Sequence, residues 1–273
     1  MKKIMEDIKR AHRIVVKVGT STVTYDTGKL NLKRLDQLAR VLSDLHNEGR
    51  EIILVSSGAV GIAMGKLGLS EKPKEVRGKQ ALAAVGQCEL MYLYDKLFSD
   101  YNNMVAQILL TRDDIVIPRR KRNMQNTFYA LLEMGIIPVV NENDTVSIEE
   151  IEIGDNDTLS AVVADLIDAD LLVLFSDIDG LYDADPHTCE NAKLLPTVFN
   201  IDKVRHLAGG AGTNRGTGGM VTKLDAAEIA TSAGIHMVIA NGNNIGALYE
   251  LLGGEQVGTL FVSKNFEESG EER

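Results

Sequence analysis

The chain has 273 residues, 25% charged and 44% hydrophobic, an ordinary globular composition with enough apolar surface for one large α/β domain. Its formal net charge is −10, and Lys and Arg are scattered except at Arg119, Arg120, Lys121 and Arg122, so no broad positive field exists to attract nucleic acid or anionic lipid. Cys88 and Cys189 are too few for a disulfide framework and lie in no metal spacing, and no apolar run approaches the ~18 residues of a membrane span, so a reduced, cytoplasmic protein is expected.

In chain order, the N-terminal M-K-K-I-M-E-D-I-K-R interrupts its apolar residues with charges and is no signal peptide. Short β-branched runs then alternate with longer amphipathic stretches. The runs are Ile14 to Val18, Ile52 to Val55, Val105 to Leu110, Ile136 to Val140, Leu171 to Phe175 and Met237 to Ala240. This rhythm predicts a parallel α/β sheet. Leu32, Leu35, Leu38, Leu42 and Leu45 recur at helical spacing and are assigned to the core. Further helices are expected over Lys79 to Phe98, Asn123 to Met134, Thr158 to Ile167 and Val221 to Ala233. The basic run at 119–122 is read as a solvated loop without a role, and residues 266–273 as a disordered acidic tail. Two N-x-T matches, at Asn143 and Asn156, would be glycosylation acceptors only in a secreted chain.

Ligands of open parallel sheets bind beyond the carboxyl ends of the strands. Four such ends are polar here: Lys17-Val18-Gly19-Thr20-Ser21, Ser56-Ser57-Gly58-Ala59, Asn141-Glu142-Asn143-Asp144-Thr145 and Ser176-Asp177-Ile178-Asp179-Gly180. Lys17, inside an apolar strand, either meets an anion such as a phosphate or snorkels at a sheet edge. Gly216-Thr217-Gly218-Gly219-Met220-Val221-Thr222-Lys223 opens a helix as a structural glycine turn or as a phosphate cradle, and Lys223 favours the cradle. Asp155, Asn156 and Asp157 precede an apolar helix; capping accounts for one of them. Walker A, dinucleotide, protein-kinase and serine-nucleophile signatures are absent, and the five histidines show no metal spacing.

Taken together, V-K-V-G-T-S, V-S-S-G-A, A-A-V-G-Q, I-L-L-T-R, V-V-N-E-N-D, G-D-N-D-x-L-S-A, D-I-D-G-L-Y and G-T-G-G-M-x-T-K resemble the ordered motif set of the glutamate 5-kinases, a branch of the amino acid kinase family. The resemblance runs from Ile14 to Val262. It implies a three-layer αβα sandwich around a mainly parallel sheet. It also implies one kinase domain over 1–265, whose N-terminal half takes the substrate and whose part from about 170 to 265 takes the nucleotide. The implied reaction is ATP-dependent phosphorylation of the side-chain carboxylate of L-glutamate, with Mg²⁺, as the first step of proline synthesis.

By the same resemblance, Lys17 and Lys223 contact the transferring phosphoryl group and Asp157 orients them. Ser57, Asp144 and Asn156 bind glutamate. Lys17, Ser176, Asp177, Thr217, Gly218, Gly219, Met220, Val221, Thr222 and Lys223 line the ATP site, and no protein metal ligand is implied. L-proline is implied as a feedback inhibitor and a homo-oligomer, dimer or tetramer, as the assembly. Many bacterial relatives continue into a C-terminal PUA domain, whereas this chain stops after the kinase domain. The competing readings are a family member acting on another acceptor (N-acetylglutamate, aspartate, carbamate or a nucleoside monophosphate) and a non-catalytic ligand sensor on the same fold.

Overall fold

Strands buried on both faces read as continuous apolar runs, and each of the six runs forms a strand of one central sheet. The computed structural model describes residues 1–25, 27–146, 155–186, 188–208 and 219–268. Its elements are α1 (Lys2–Lys9), β1 (Arg13–Val18), α2 (Thr20–Val23), α3 (Leu32–Asn47), β2 (Glu51–Ser56), α4 (Ala59–Leu67), α5 (Val76–Ser99), β3 (Val105–Leu110), α6 (Arg112–Val116) and α7 (Pro118–Glu133). There follow β4 (Ile137–Glu142), α8 (Asn156–Leu166), β5 (Leu171–Ser176), β6 (Thr197–Val198), a 3-10 turn (Arg205–Ala208), α9 (Met220–Ser232), β7 (His236–Asn241), α10 (Ala247–Gly253), β8 (Thr259–Phe261) and α11 (Lys264–Glu268).

The sheet order is β3-β4-β2-β1-β5-β7-β8-β6, with every pairing parallel except β7 with β8. Successive side chains alternate between its faces. Ile14, Val16 and Val18 of β1 join Ile52 and Leu54 of β2 in a core shared with α1, α3, α5 and α10. Val15, Ile53 and Val55 face the other way, into a core built with α7, α8 and α9. This is a three-layer αβα arrangement. The chain leaves β1 toward β2 on one side, and β5 later returns to its other side, so the topological switch point falls at β1.

Three expectations need correction. The basic run at 119–122 lies in α7, which Pro118 opens at the first helical position, where its missing N–H costs nothing. Leu32 is the first residue of α3, just after the Asn31 cap, and is 62% exposed; only Leu35, Leu38, Leu42 and Leu45 are core. The backbone of residues 266–268 is helical, as part of α11, rather than the start of a disordered tail. Residues 269–273 lie outside the described set. Among the described residues, no helix is long and apolar enough to cross a membrane.

His236 starts β7, and its Nδ1 accepts a hydrogen bond of 3.1 Å from the backbone N–H of Ser263, tying the segment after β8 to the sheet. Phe266 of α11 lies against the imidazole with ring centroids 5.8 Å apart. Burial lowers the His236 pKa from its ordinary value, against a weaker upward pull from Asp7. The unfolded chain therefore takes up a proton near the ordinary pKa of about 6.5 that the folded chain resists. Stability contributed by neutral His236 is present above that pH and is lost as pH falls through the lowered folded pKa. His236→Asn keeps an acceptor near the Nδ1 position but cannot titrate. Unfolding free energies from urea titrations between about pH 8 and pH 5 should fall for the wild type, by at most about 1.4 kcal/mol per pH unit from this group, with a shallower fall in the variant. Parallel curves would show that His236 is not responsible.

Candidate active site

Lys17 sits in β1, paired on both sides by β2 and β5, so it is no edge residue. Strand alternation puts it on the Val15 side, toward α8 and α9. There its Nζ lies 2.5 Å from Asp157 Oδ1. Lys223, one turn into α9, places its Nζ 3.1 Å from Asp157 Oδ2. The three groups are 8%, 6% and 1% exposed, so two ammonium groups share one deeply buried carboxylate. Burial alone would raise the Asp157 pKa, but the attraction of Lys17 and Lys223 outweighs it and holds the carboxyl below its ordinary range.

The helix N-terminus divides its polar residues between tasks. Asp155 is the cap of α8, accepting the N–H groups of Asp157 and Thr158 at 3.1 Å each. Asn156 and Asp157 therefore remain for the site. The Thr222 hydroxyl donates to Gly219 O at 2.9 Å and approaches Asp157 Oδ2 at 3.3 Å, so it faces the lysine cluster. Gly219 caps α9 without a side chain, Met220 opens the helix, and Val221 is 50% exposed. Thr217 and Gly218 lie outside the described residues.

A second cluster is made of neutral groups. Asn156 Nδ2 donates to Ser57 Oγ at 2.7 Å and to Asn141 Oδ1 at 2.9 Å. Asn141, near the end of β4, donates through Nδ2 to Gln87 Oε1 of α5 at 2.9 Å. Gly58, at φ +108°, turns the chain sharply after Ser57 into α4, a backbone conformation that favours glycine. Gly86 lets α5 approach the start of α4 so closely that a Cβ there would lie 1.7 Å from Ala59 O, which sets the depth of Gln87 beside it. Asp144 lies two residues past β4, half-buried, shortly before residues 147–154, which are not described.

Toward the other half of the sheet, Ser176 closes β5 and donates through Oγ to Asp177 Oδ1 at 3.0 Å. The chain after β7 folds onto it, with Gly242 N donating to Ser176 O at 2.7 Å and Asn241 Nδ2 to Asp179 Oδ1 at 2.6 Å. Gln87 and Asn241 were not assigned from the sequence, and Asn141 was read as part of a polar strand end without a role of its own. Asn141 and Gln87 stood within quoted motifs, but the contact between them spans 54 residues and left no local signal. Cavities of about 480 and 440 Å³ elsewhere, between α3 and α10 and at the amino ends of β5 and β7, involve none of these groups. Among the described residues, no group of three His, Cys, Asp or Glu is placed to hold a metal ion.

The amino acid kinase family model matches residues 12–241. The chain is 56% identical over 272 residues to the glutamate 5-kinase of Clostridium perfringens (strain 13), covering 98% of this chain and all of that relative. It is 55% identical to that of Clostridium acetobutylicum, covering 94% and 97%, and 54% identical to that of Moorella thermoacetica, of which it covers 68%. In fold it is similar to the UMP kinase of Bacillus anthracis, with a TM-score of 0.64 at 17% identity over 93% of this chain and 97% of that one. The two lysines of β1 and α9 on one shared carboxylate, together with these likenesses, have one reading: the chain belongs to the amino acid kinase family, among its glutamate 5-kinases.

Proposed function

We propose that the chain transfers the γ-phosphoryl group of ATP to the side-chain carboxylate of L-glutamate, giving L-glutamyl 5-phosphate and ADP as the opening step of proline synthesis. The observation that carries this reading is the Lys17–Asp157–Lys223 cluster next to the Ser57–Asn156–Asn141 amide chain. The acceptor carboxylate, with a reference pKa near 4.3, is ionised at neutral pH and needs no general base. One of its oxygens attacks the γ-phosphorus while the bond to the bridging oxygen of ADP breaks. The protein's task is to position two anions and offset their repulsion.

In this reading Lys17 and Lys223 contact the phosphoryl oxygens and Asp157 holds both ammonium groups in place. Ser57, Asn156 and Asp144 hold the amino acid. Ser176, Asp177 and the stretch from Thr217 to Lys223 hold the nucleotide. Mg²⁺ would be carried largely by the phosphate oxygens and would neutralise phosphate charge. The N-terminal half serves the amino acid and residues from about 170 to 265 serve ATP, in a cytoplasmic homo-oligomer. A silent ligand sensor would have no use for two ammonium groups buried against one carboxylate. ATP-dependent acyl-hydroxamate formation with glutamate and hydroxylamine tests the activity directly, and an ADP-release screen over N-acetylglutamate, aspartate, carbamate and UMP tests the acceptor.

Lys223→Ala should lower kcat about 100-fold or more with a small change in KM for glutamate, since it removes a donor used mainly in the transition state. Lys17→Ala should behave alike. Asp157→Asn should lower kcat by releasing both lysines. A near-normal kcat in Lys223→Ala would remove that lysine from the mechanism. Asn156→Ala should instead raise KM for glutamate about tenfold or more and leave KM for ATP within about twofold. Steady-state kinetics with each substrate varied separates these outcomes.

L-proline shares an α-carboxylate and a cationic α-nitrogen with glutamate, so the groups that recognise those features in one ligand suit the other. If the two compete, each weakens the other's binding reciprocally. The proline concentration giving half-inhibition should rise with glutamate when ATP is saturating. A value independent of glutamate would rule out competition.

A further inference from the structure

Gln87 is buried, at 7% exposure, and its Nε2 has no hydrogen-bond partner among the described residues. Its orientation is nevertheless set. The backbone N–H of Glu142 donates to Asn141 Oδ1 at 3.0 Å, and a backbone N–H can only donate, so the identity of that oxygen is not open to an amide flip. Asn141 must then present Nδ2 to Gln87, 2.9 Å away, and Gln87 must answer with Oε1. Its Nε2 is left as a buried donor beside the amide chain.

The same anchor fixes polarity in the other direction. Asn141 Oδ1 faces Asn156, so the Asn156 atom there is Nδ2, which also donates to Ser57 Oγ. Ser57, already accepting, keeps its own O–H to donate, and Asn156 keeps Oδ1 to accept. The site therefore offers a hydroxyl donor, an amide acceptor and the Gln87 amide donor. Helix α5 is itself held against the strand ends: seven residues along the same face, the Tyr94 hydroxyl lies 2.7 Å from Ser56 Oγ. A buried donor with no partner is costly unless a ligand satisfies it, and one next to groups that take an amino acid calls for an acceptor oxygen.

We propose that Gln87 is a specificity-determining residue of the amino-acid site, its Nε2 donating to a carboxylate oxygen of the substrate while its Oε1 holds Asn141 in register. The inference rests on the glutamate reading above. Gln87→Met removes both functions. Gln87→Glu keeps the acceptor toward Asn141 and replaces the donor with an oxygen that donates only when protonated.

The test measures KM for glutamate and for ATP separately, with melting temperature as a check on folding, in wild type and both variants between about pH 8 and pH 6. KM for glutamate should rise about 10-fold or more in Gln87→Met, with KM for ATP unchanged. In Gln87→Glu it should rise at pH 8 and recover toward wild type as pH falls, because a buried glutamate titrates upward into this range and its protonated form donates again. A raised KM in Gln87→Met without pH recovery in Gln87→Glu reduces Gln87 to holding Asn141 and overturns the donor role. Unchanged glutamate KM in both, or loss of both substrates' kcat/KM together with melting temperature, overturns the proposal as a whole. Absence of glutamate-dependent turnover in the wild type refutes the functional reading instead, before any variant is compared.

Discussion

The sharing of one carboxylate by two ammonium groups is the constraint on which the rest of the molecule depends. Asp157 is nearly inaccessible, and an ion so placed is tolerated only if its partners arrive together. Those partners come from β1 and α9, while Asp157 comes from α8, so the cluster is satisfied only when the central strand and two helices of one layer are assembled. Removing one partner of such a cluster is expected to cost about 3–5 kcal/mol in a buried setting. The fold meets this demand by placing Lys17 at the switch point of the sheet, where the diverging connections leave room beyond the strand ends.

The first turn of α8 then joins two kinds of chemistry. Adjacent residues on a helix point about 100° apart, and here Asn156 turns to the amide chain while Asp157 turns to the lysines. Strand alternation divides the layers in the same way. Lys17 lies on the α8 and α9 face, whereas Asn141, in step with Ile137 and Val139, points to the opposite face where α5 carries Gln87. The site thus straddles the carboxyl edge of the sheet, and Asp155, as cap, fixes the turn that connects its halves.

How much of this could be read beforehand follows from how local each signal is. The six long strands were legible as short apolar runs, five of them almost wholly buried and β3 at the sheet edge with Gln107 exposed; β6 and β8, of two and three residues, are too short to leave such a trace. Helix α4 was missed because A-V-G-I-A-M-G-K-L carries two glycines and little amphipathic contrast. Lys17 was conspicuous as a charge in an apolar strand, and Asp157 as one acid more than a cap requires. Gln87 offered nothing comparable, since a polar residue in a long helix is ordinarily solvated, and only the Gly86 contact with α4 and the distant Asn141 amide show why this one is buried.

The division between charged and neutral groups has its own physical logic. A full charge is worth most where charge develops during the reaction, and the lysines lie at the end of the site that the proposed reading gives to the phosphoryl group. The amide chain has the opposite virtue. Amides and hydroxyls of fixed polarity distinguish donor from acceptor positions on a small ligand without forming an ion pair as strong as those with free ammonium groups, so the ligand can be selected and still released. Because the chain's polarity starts from the Glu142 backbone N–H rather than from a titrating side chain, this selection is insensitive to proton uptake across the neutral range. The pH response of acceptor binding should therefore not originate in the amide and hydroxyl groups of this chain.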